Sequence, residues 1–434
     1  MRTILCTLTI FSLVLAARTQ AQTDTNAPAT LTLADAEQRA LQNHPQIAAA
    51  DYRALAAQEA SKESRAGYFP NANLYADAVG AGDEGTRIMA GGLNNPSIYD
   101  RAAGGLQVSQ LITDFGRTAN LAASSKFQAQ AASQNASTTR EQVLLRVNED
   151  YFSTLEAQAV LRIARKTFDT RQVLLGQVSM LASNKLKSEL DVSFAQVAVQ
   201  QSKLLLQEAR NNERAAMTSL STALGYREPM EFKLVAAAPA AVAGTNDVSQ
   251  LVETALADRP ELLSLRAGQT AASRYARSQR DSRLPTISAL GVAGVAPTHD
   301  SHLPDNYLAG GIQLSLPLFA GGFYTARQRE AELKAQAEAK LLTAAENNIV
   351  RDVHLAWLNL NNASEQLATT EELVQNAAEA YDLAQARYKI GSSSIVELSQ
   401  AQLNLTSAQI TEAGARFNVF IKQAALSYQV GTLH

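Results

Sequence analysis

Two stretches of this chain alternate apolar and polar residues with a period of two. Ile312, Leu314, Leu316 and Leu318 fall on one side of an extended chain, with Gln313 and Ser315 on the other. Leu106, Val108 and Ile112 stand against Gln107 and Ser109 in the same way. One apolar and one polar face is the pattern of a strand with lipid or core on one side and water on the other. The pattern predicts strand pairs within 69–113 and 285–318, with strands at about 69–80, 104–113, 285–295 and 310–318. Between the first two lies Gly82-Asp83-Glu84-Gly85 and Gly91-Gly92-Leu93-Asn94-Asn95-Pro96, which is loop chemistry.

The rest of the pattern is helical. From Arg117 to about Ser183 there is no proline and little glycine, and Ala, Gln, Leu, Arg and Glu dominate. One helix over that range is about 100 Å long. Asn184 to Ser188 breaks it, and a returning helix runs to about Leu224. A second such hairpin is expected over 323–429, turning at Gly391-Ser392-Ser393-Ser394. Shorter helices are expected at about 33–44, 46–67, 248–257 and 261–280. Along the last helix, Leu398, Ala401, Leu405, Ala408, Glu412, Ala415, Val419, Lys422 and Leu426 form a seam at spacings of three and four. The seam is rich in small residues that let helices approach closely.

The two halves repeat each other. Gly104-Gly105-Leu106-Gln107-Val108-Ser109 returns 206 positions later as Gly310-Gly311-Ile312-Gln313-Leu314-Ser315. Ser188 meets Ser394, Tyr151 meets Trp357, and Gly225 meets Gly431 at the same offset. Upstream, Pro45 meets Pro260 and Pro70 meets Pro285, 215 positions apart. The organisation expected is a first repeat over 31–225, a linker or equatorial segment over 226–247 and a second repeat over 248–431.

Composition narrows the class. Arg2, an apolar run from Ile4 to Ala17 and Thr19-Gln20-Ala21 read as a secretory signal over 1–21. The single cysteine, Cys6, lies inside it, so the mature chain has no thiol, disulfide or lipid-bearing cysteine. A net charge of −3 argues against a nucleic-acid partner. No later run is long enough for a transmembrane helix. Four strands cannot close a barrel, and open edges are not tolerated in lipid, so several chains must share one barrel. Three chains of four strands make twelve.

With this order of elements the chain resembles the TolC family of outer-membrane channel proteins, over nearly its whole mature length. The residues that carry the resemblance are the strand-to-helix junctions Gln110–Arg117 and Leu316–Gly322, the turn Ala386–Leu398, and Glu189-Leu190-Asp191-Val192. The resemblance implies an α+β membrane protein: a homotrimer whose twelve-stranded outer-membrane β-barrel continues into a long periplasmic α-helical barrel. It implies a passive exit duct for a tripartite efflux or type I secretion system. The partners are a periplasmic adaptor, an inner-membrane transporter and outer-membrane lipid, and there is neither enzymatic activity nor a cofactor.

The same resemblance assigns sites. Adaptor docking falls on Asn184, Lys185, Leu186, Lys187 and Ser188 and on Gly391, Ser392, Ser393 and Ser394. The aperture candidates are Asp191, Tyr388, Glu397 and Gln400. A threefold ring of Glu397 is expected to crowd like charges and attract cations. The chain departs from the family pattern at Ser393, where an arginine can hold the tip closed, and at Gln400, where a second acidic ring can lie. No other chemistry competes. His299 and His302 sit in a strand loop without ordered carboxylates and read as solvated, and His44 and His354 are isolated. No nucleophile, phosphate-loop or metal motif is present. The rival reading is a periplasmic adaptor or structural coiled-coil protein, which the duplicated, two-faced strand pairs disfavour.

Overall fold

The computed structural model describes residues 29–79, 101–235, 247–298 and 304–433. The signal segment, the Gly82–Pro96 loop, residues 236–246 and both His299 and His302 lie outside the described residues.

Two helices of equal length dominate: α3 (Arg117–Ser183) and α7 (Phe323–Lys389), 67 residues each. Beside them run shorter helices: α1 (Leu33–Asn43), α2 (Pro45–Ala66), α4 (Glu189–Ala223), α5 (Val248–Asp258), α6 (Pro260–Asp281) and α8 (Ile395–Val430). Four of these are joined end to end. Gly225, just beyond α4, has φ +87° and abuts the start of α2; a Cβ there would sit 2.8 Å from the Asn43 carbonyl oxygen. Gly431, just beyond α8, has φ +80° and abuts the start of α6, with a Cβ 3.2 Å from Arg259 Cα. Only glycine takes both the left-handed backbone and the close approach at no cost. Pro45 and Pro260 open the receiving helices, where their missing N–H groups need no intrahelical partner. The helices therefore make four columns in the order α4/α2, α3, α8/α6, α7, set by which helices pack together.

The strands keep that order. β2 (Asn71–Val79), β3 (Arg101–Thr113), β5 (Thr286–Thr298) and β6 (Asn306–Ser315) form one antiparallel sheet, β2-β3-β5-β6. Each strand joins its column directly in sequence. The register aligns Leu74, Leu106, Ala293 and Leu308 in one row, and Ala72, Val108, Gly291 and Gly310 in a second row of the same face. The other face carries Asn71, Asn73, Tyr75, Asp77, Gln107, Ser109, Ser288, Tyr307, Gln313 and Ser315, with Leu111, Leu290 and Val292 among them. None of the described residues covers the apolar face: Leu308 is 85% exposed and Ile312 76%. β2 and β6 are the sheet's edges and have no second partner among the described residues.

The main core lies halfway along the helices. Val147, Tyr151, Phe152 and Leu155 of α3 meet Leu220 and Leu224 at the end of α4, Ala36 and Ala40 of α1, and Phe417 of α8. A second cluster joins Leu251 and Ala255 of α5 to Ile349 and Val353 of α7 and Leu426 of α8.

One strand pair was not foreseen, and some expected strand bounds need correction. Within 226–247, Phe232–Leu234 is a strand (β4) pairing in parallel with β1 (Ala29–Leu31). The buried Tyr151 hydroxyl donates to Leu31 O (3.0 Å) and Val235 O (2.6 Å), tying this pair to α3. Three alternating residues are too few for a periodicity to reveal. The last strand ends at Ser315, so Leu316 and Leu318 leave the ladder; Pro317 brings no N–H to continue it. The same strand starts earlier, at Asn306, so Tyr307 and Leu308 belong to it. Phe69 and Pro70 likewise precede β2.

Candidate docking tips and aperture

At the end remote from the sheet, both hairpins turn by the same device. The first helix closes with a left-handed residue, Lys185 (φ +60°) in one and Gly391 (φ +79°) in the other. Leu186 N–H donates to Leu181 O and Ser392 N–H to Arg387 O, each at 2.9 Å, the six-to-one bond that satisfies a helix C-terminus. A serine then caps the next helix. Ser188 Oγ accepts from Asp191 N–H at 3.1 Å, and Ser394 Oγ from Glu397 N–H at 3.2 Å.

The acids three residues on behave differently. Asp191 completes a capping box by accepting from Ser188 N–H at 3.1 Å. Glu397 turns instead to Arg387 of its own hairpin, with Oε1 3.2 Å from Nη1. Arg387 was not among the residues expected from the sequence, although its place one residue before Tyr388 puts it a helical turn from the loop. Within one chain Glu397 is thus ion-paired.

Tyr388 joins the two hairpins. Its ring is buried with Val178, Ala384, Ile395 and Leu398, and Lys187 Nζ lies 4.5 Å from the ring centroid. Its hydroxyl is buried and has no hydrogen-bond partner among the described residues. Burial, and after it the nearby Asp191 charge, push the phenol above its ordinary value. Beside it is a cavity of about 340 Å³ lined by Val173, Gln177, Tyr381, Gln385 and Leu398.

The remaining expected residues are outward. Asn184, Lys185, Leu186 and Ser188 are exposed, as are Gly391, Ser392 and Ser394, while Lys187 and Ser393 are half-buried. Asn184 Nδ2 donates to Met180 O at 3.0 Å, and Gln400 Nε2 to Asn404 Oδ1 at 2.9 Å. Bare apolar side chains surround them: Leu190 is 63% exposed and Ile390 80%, with Leu186 and Val396 alongside. The periodicity missed Ile390 and Val396, which look like ordinary helix-end residues until the packing shows them facing outward. Among the described residues, no three His, Cys, Asp or Glu side chains gather as a metal site would need, and no helix is long and apolar enough to cross a membrane.

The family model for "outer membrane efflux protein" matches residues 36–226 and 251–432. The chain belongs to this family. It is similar to outer membrane protein TolC of Salmonella enteritidis, 25% identical over 411 residues, spanning 92% of this chain and 81% of the relative. It is also similar to the alkaline protease secretion protein AprF of Pseudomonas aeruginosa, 23% identical over 93% of this chain and 85% of that one. Among solved structures, the open state of the Neisseria gonorrhoeae MtrE outer membrane channel superposes with a TM-score of 0.79 at 19% identity, covering 92% of this chain and 89% of that one. This member of the efflux protein family is an outer-membrane protein and serves as an exit duct for efflux or type I secretion.

Proposed function

We propose that three copies of the chain close into a single duct, a twelve-stranded barrel in the outer membrane set on a twelve-column helical tube. The observation that carries this is the bare, two-faced sheet with two unpaired edges. In water its apolar face is costly, at about 25 cal/mol per Å². In lipid its edges are not tolerated, because each unpaired N–H and C=O lacks a partner. Only closure with the apolar face toward lipid and the polar face toward water answers both. β3 and β5, 13 residues each, are long enough to cross when tilted.

The helices support the same number of neighbours. α6 packs against both α3 and α7. Its counterpart α2 packs on α3 and leaves Tyr52 and Leu55 exposed on the side away from it. A neighbouring copy's α7 would stand where α6 already finds its own. The tips, with their bare Leu186, Leu190, Ile390 and Val396, are the docking surface for a periplasmic adaptor, which links the duct to an inner-membrane transporter. Residues 184–188 and 391–394 are the contact points. Asp191, Tyr388 and Glu397 with its partner Arg387 shape the aperture.

Two measurements test this. Native mass spectrometry of the membrane-extracted protein is expected to show a trimer, and only monomer would sink the barrel. A photo-crosslinker at Ser393 in cells is expected to capture a periplasmic adaptor. Self-crosslinks alone would remove the docking role from this turn.

A further inference from the structure

On the polar face of the sheet, one row reads Tyr75, Gly105, Gly294, Tyr307 across the four strands. Its two inner positions carry no side chain, and the Tyr307 ring occupies the space. A Cβ on Gly294 would lie 2.5 Å from Tyr307 Oη and 2.6 Å from Cζ, and a Cβ on Gly105 would lie 2.5 Å from the same Oη. The ring therefore starts on β6, crosses β5 and reaches β3, flat against the sheet. No side chain larger than hydrogen fits at either glycine while the ring is down. Tyr307 is the second residue of β6, and β6 leads downward into α7, so this row lies toward the strand end remote from the helices.

We propose that Tyr307 sets the bore of the outer half of the duct and that Gly105 and Gly294 form the seat that keeps it open. The proposal rests on the closed-barrel reading, in which the polar face lines the water-filled lumen. Each of three chains then brings one Tyr307 to the same level. Flat rings leave the passage wide, whereas upright rings project into it from three sides. The cargo discriminated is bulky solutes, since small ions pass in either state.

The test uses Gln313→Cys, on the same polar face but nearer the helices. The only native cysteine is Cys6, within the expected signal, so labelling is specific. A bulky, membrane-impermeant sulfonated dye maleimide is added outside intact cells, and the labelling rate at position 313 is measured. Gly105→Ala is expected to slow labelling about threefold by lifting the ring, and adding Tyr307→Ala to restore it. Tyr307→Ala alone is expected to leave the rate nearly unchanged, because the ring is already down.

Loss that persists in the double variant overturns the proposal. It would trace to backbone crowding, since the same Cβ lies 2.7 Å from Ala293 O. A severalfold acceleration in Tyr307→Ala alone also overturns it, because the ring would then already stand in the passage. That second result needs no glycine variant and so survives any failure of Gly105→Ala to assemble. If Gln313→Cys is labelled in detergent but never from outside cells, the closed-barrel reading itself fails, and the proposal with it.

Discussion

Paired positions in the two halves solve the same backbone problem with different residues. Position 185 and position 391 both take a left-handed conformation, one as lysine and one as glycine. Phe115 and Gly321 are a second such pair, at φ +55° and +54°. A non-glycine residue in this region costs about 1–2 kcal/mol. Gly391 has open space around it, so Gly391→Ala is expected to cost only this backbone term. Hydrogen exchange at the second turn should rise severalfold, with the rest of the chain unchanged. Gly225→Ala is a harsher change at a similar φ, because its Cβ would strike the Asn43 backbone. It is expected to lower the thermal midpoint well beyond Gly391→Ala, and equal midpoints would refute the end-to-end joint. Lys187→Ala removes the cation over Tyr388, at about 0.5–1 kcal/mol. Exchange at the tips should then rise about threefold, while global stability stays close to that of wild type.

At the scale of elements, one junction gathers the start of α6, the end of α8 and the middle of α3. Arg259 pairs with Glu261 at 2.9 Å, donates to Gln429 Oε1 at 2.9 Å and lies over the Tyr428 ring. Glu141 of α3 is buried nearby. Burial raises its pKa from 4.5 to about 7, and the charge of Arg259 only partly offsets this. The folded state thus holds a proton that the unfolded chain releases at lower pH. This group's stabilising contribution is full below pH 4.5 and is lost as pH rises through 7. Glu141→Gln is expected to flatten that part of the stability profile and to stabilise the protein at pH 8. An unchanged slope in denaturation midpoints between pH 5 and 8 would count against the assignment. Elements of this kind were largely legible in the sequence. The helix from Arg117 to about Ser183 was readable because a proline-free run rich in helix formers begins beside Gly116 and ends near Asn184. Arg259 was not readable, since nothing in its neighbourhood shows that Glu141, more than a hundred residues away, folds against it. The β1–β4 pair was hidden because its strands are only three residues long, and Arg387 because its carboxylate partner lies across a turn.

In the proposed duct the whole molecule is a wall section with two complementary edges. One edge presents β2 and the α4/α2 column, and the other presents β6 and α7. Leu55→Asp on the bare side of α2 is expected to abolish the trimer while leaving the helical circular-dichroism signal of the monomer intact. A trimer that survives this charge would mean that α2 faces solvent. The existence of two edges was readable from strand number alone, and the row of tyrosine over glycine was not. Alternation reports which face a side chain is on and says nothing of which strands lie beside it.

The uncovered sheet also dictates an order of events in the life of the chain. Its helices carry their own cores within one copy. In the proposed trimer its strands are completed only when copies meet and lipid is at hand, so their folding rate depends on concentration and on the membrane. Until then the open edges and the greasy face are an aggregation hazard in the periplasm. A newly exported copy must therefore be escorted, or must find its siblings quickly. Overproduction should fail first at the strands, leaving well-formed helices in the insoluble fraction.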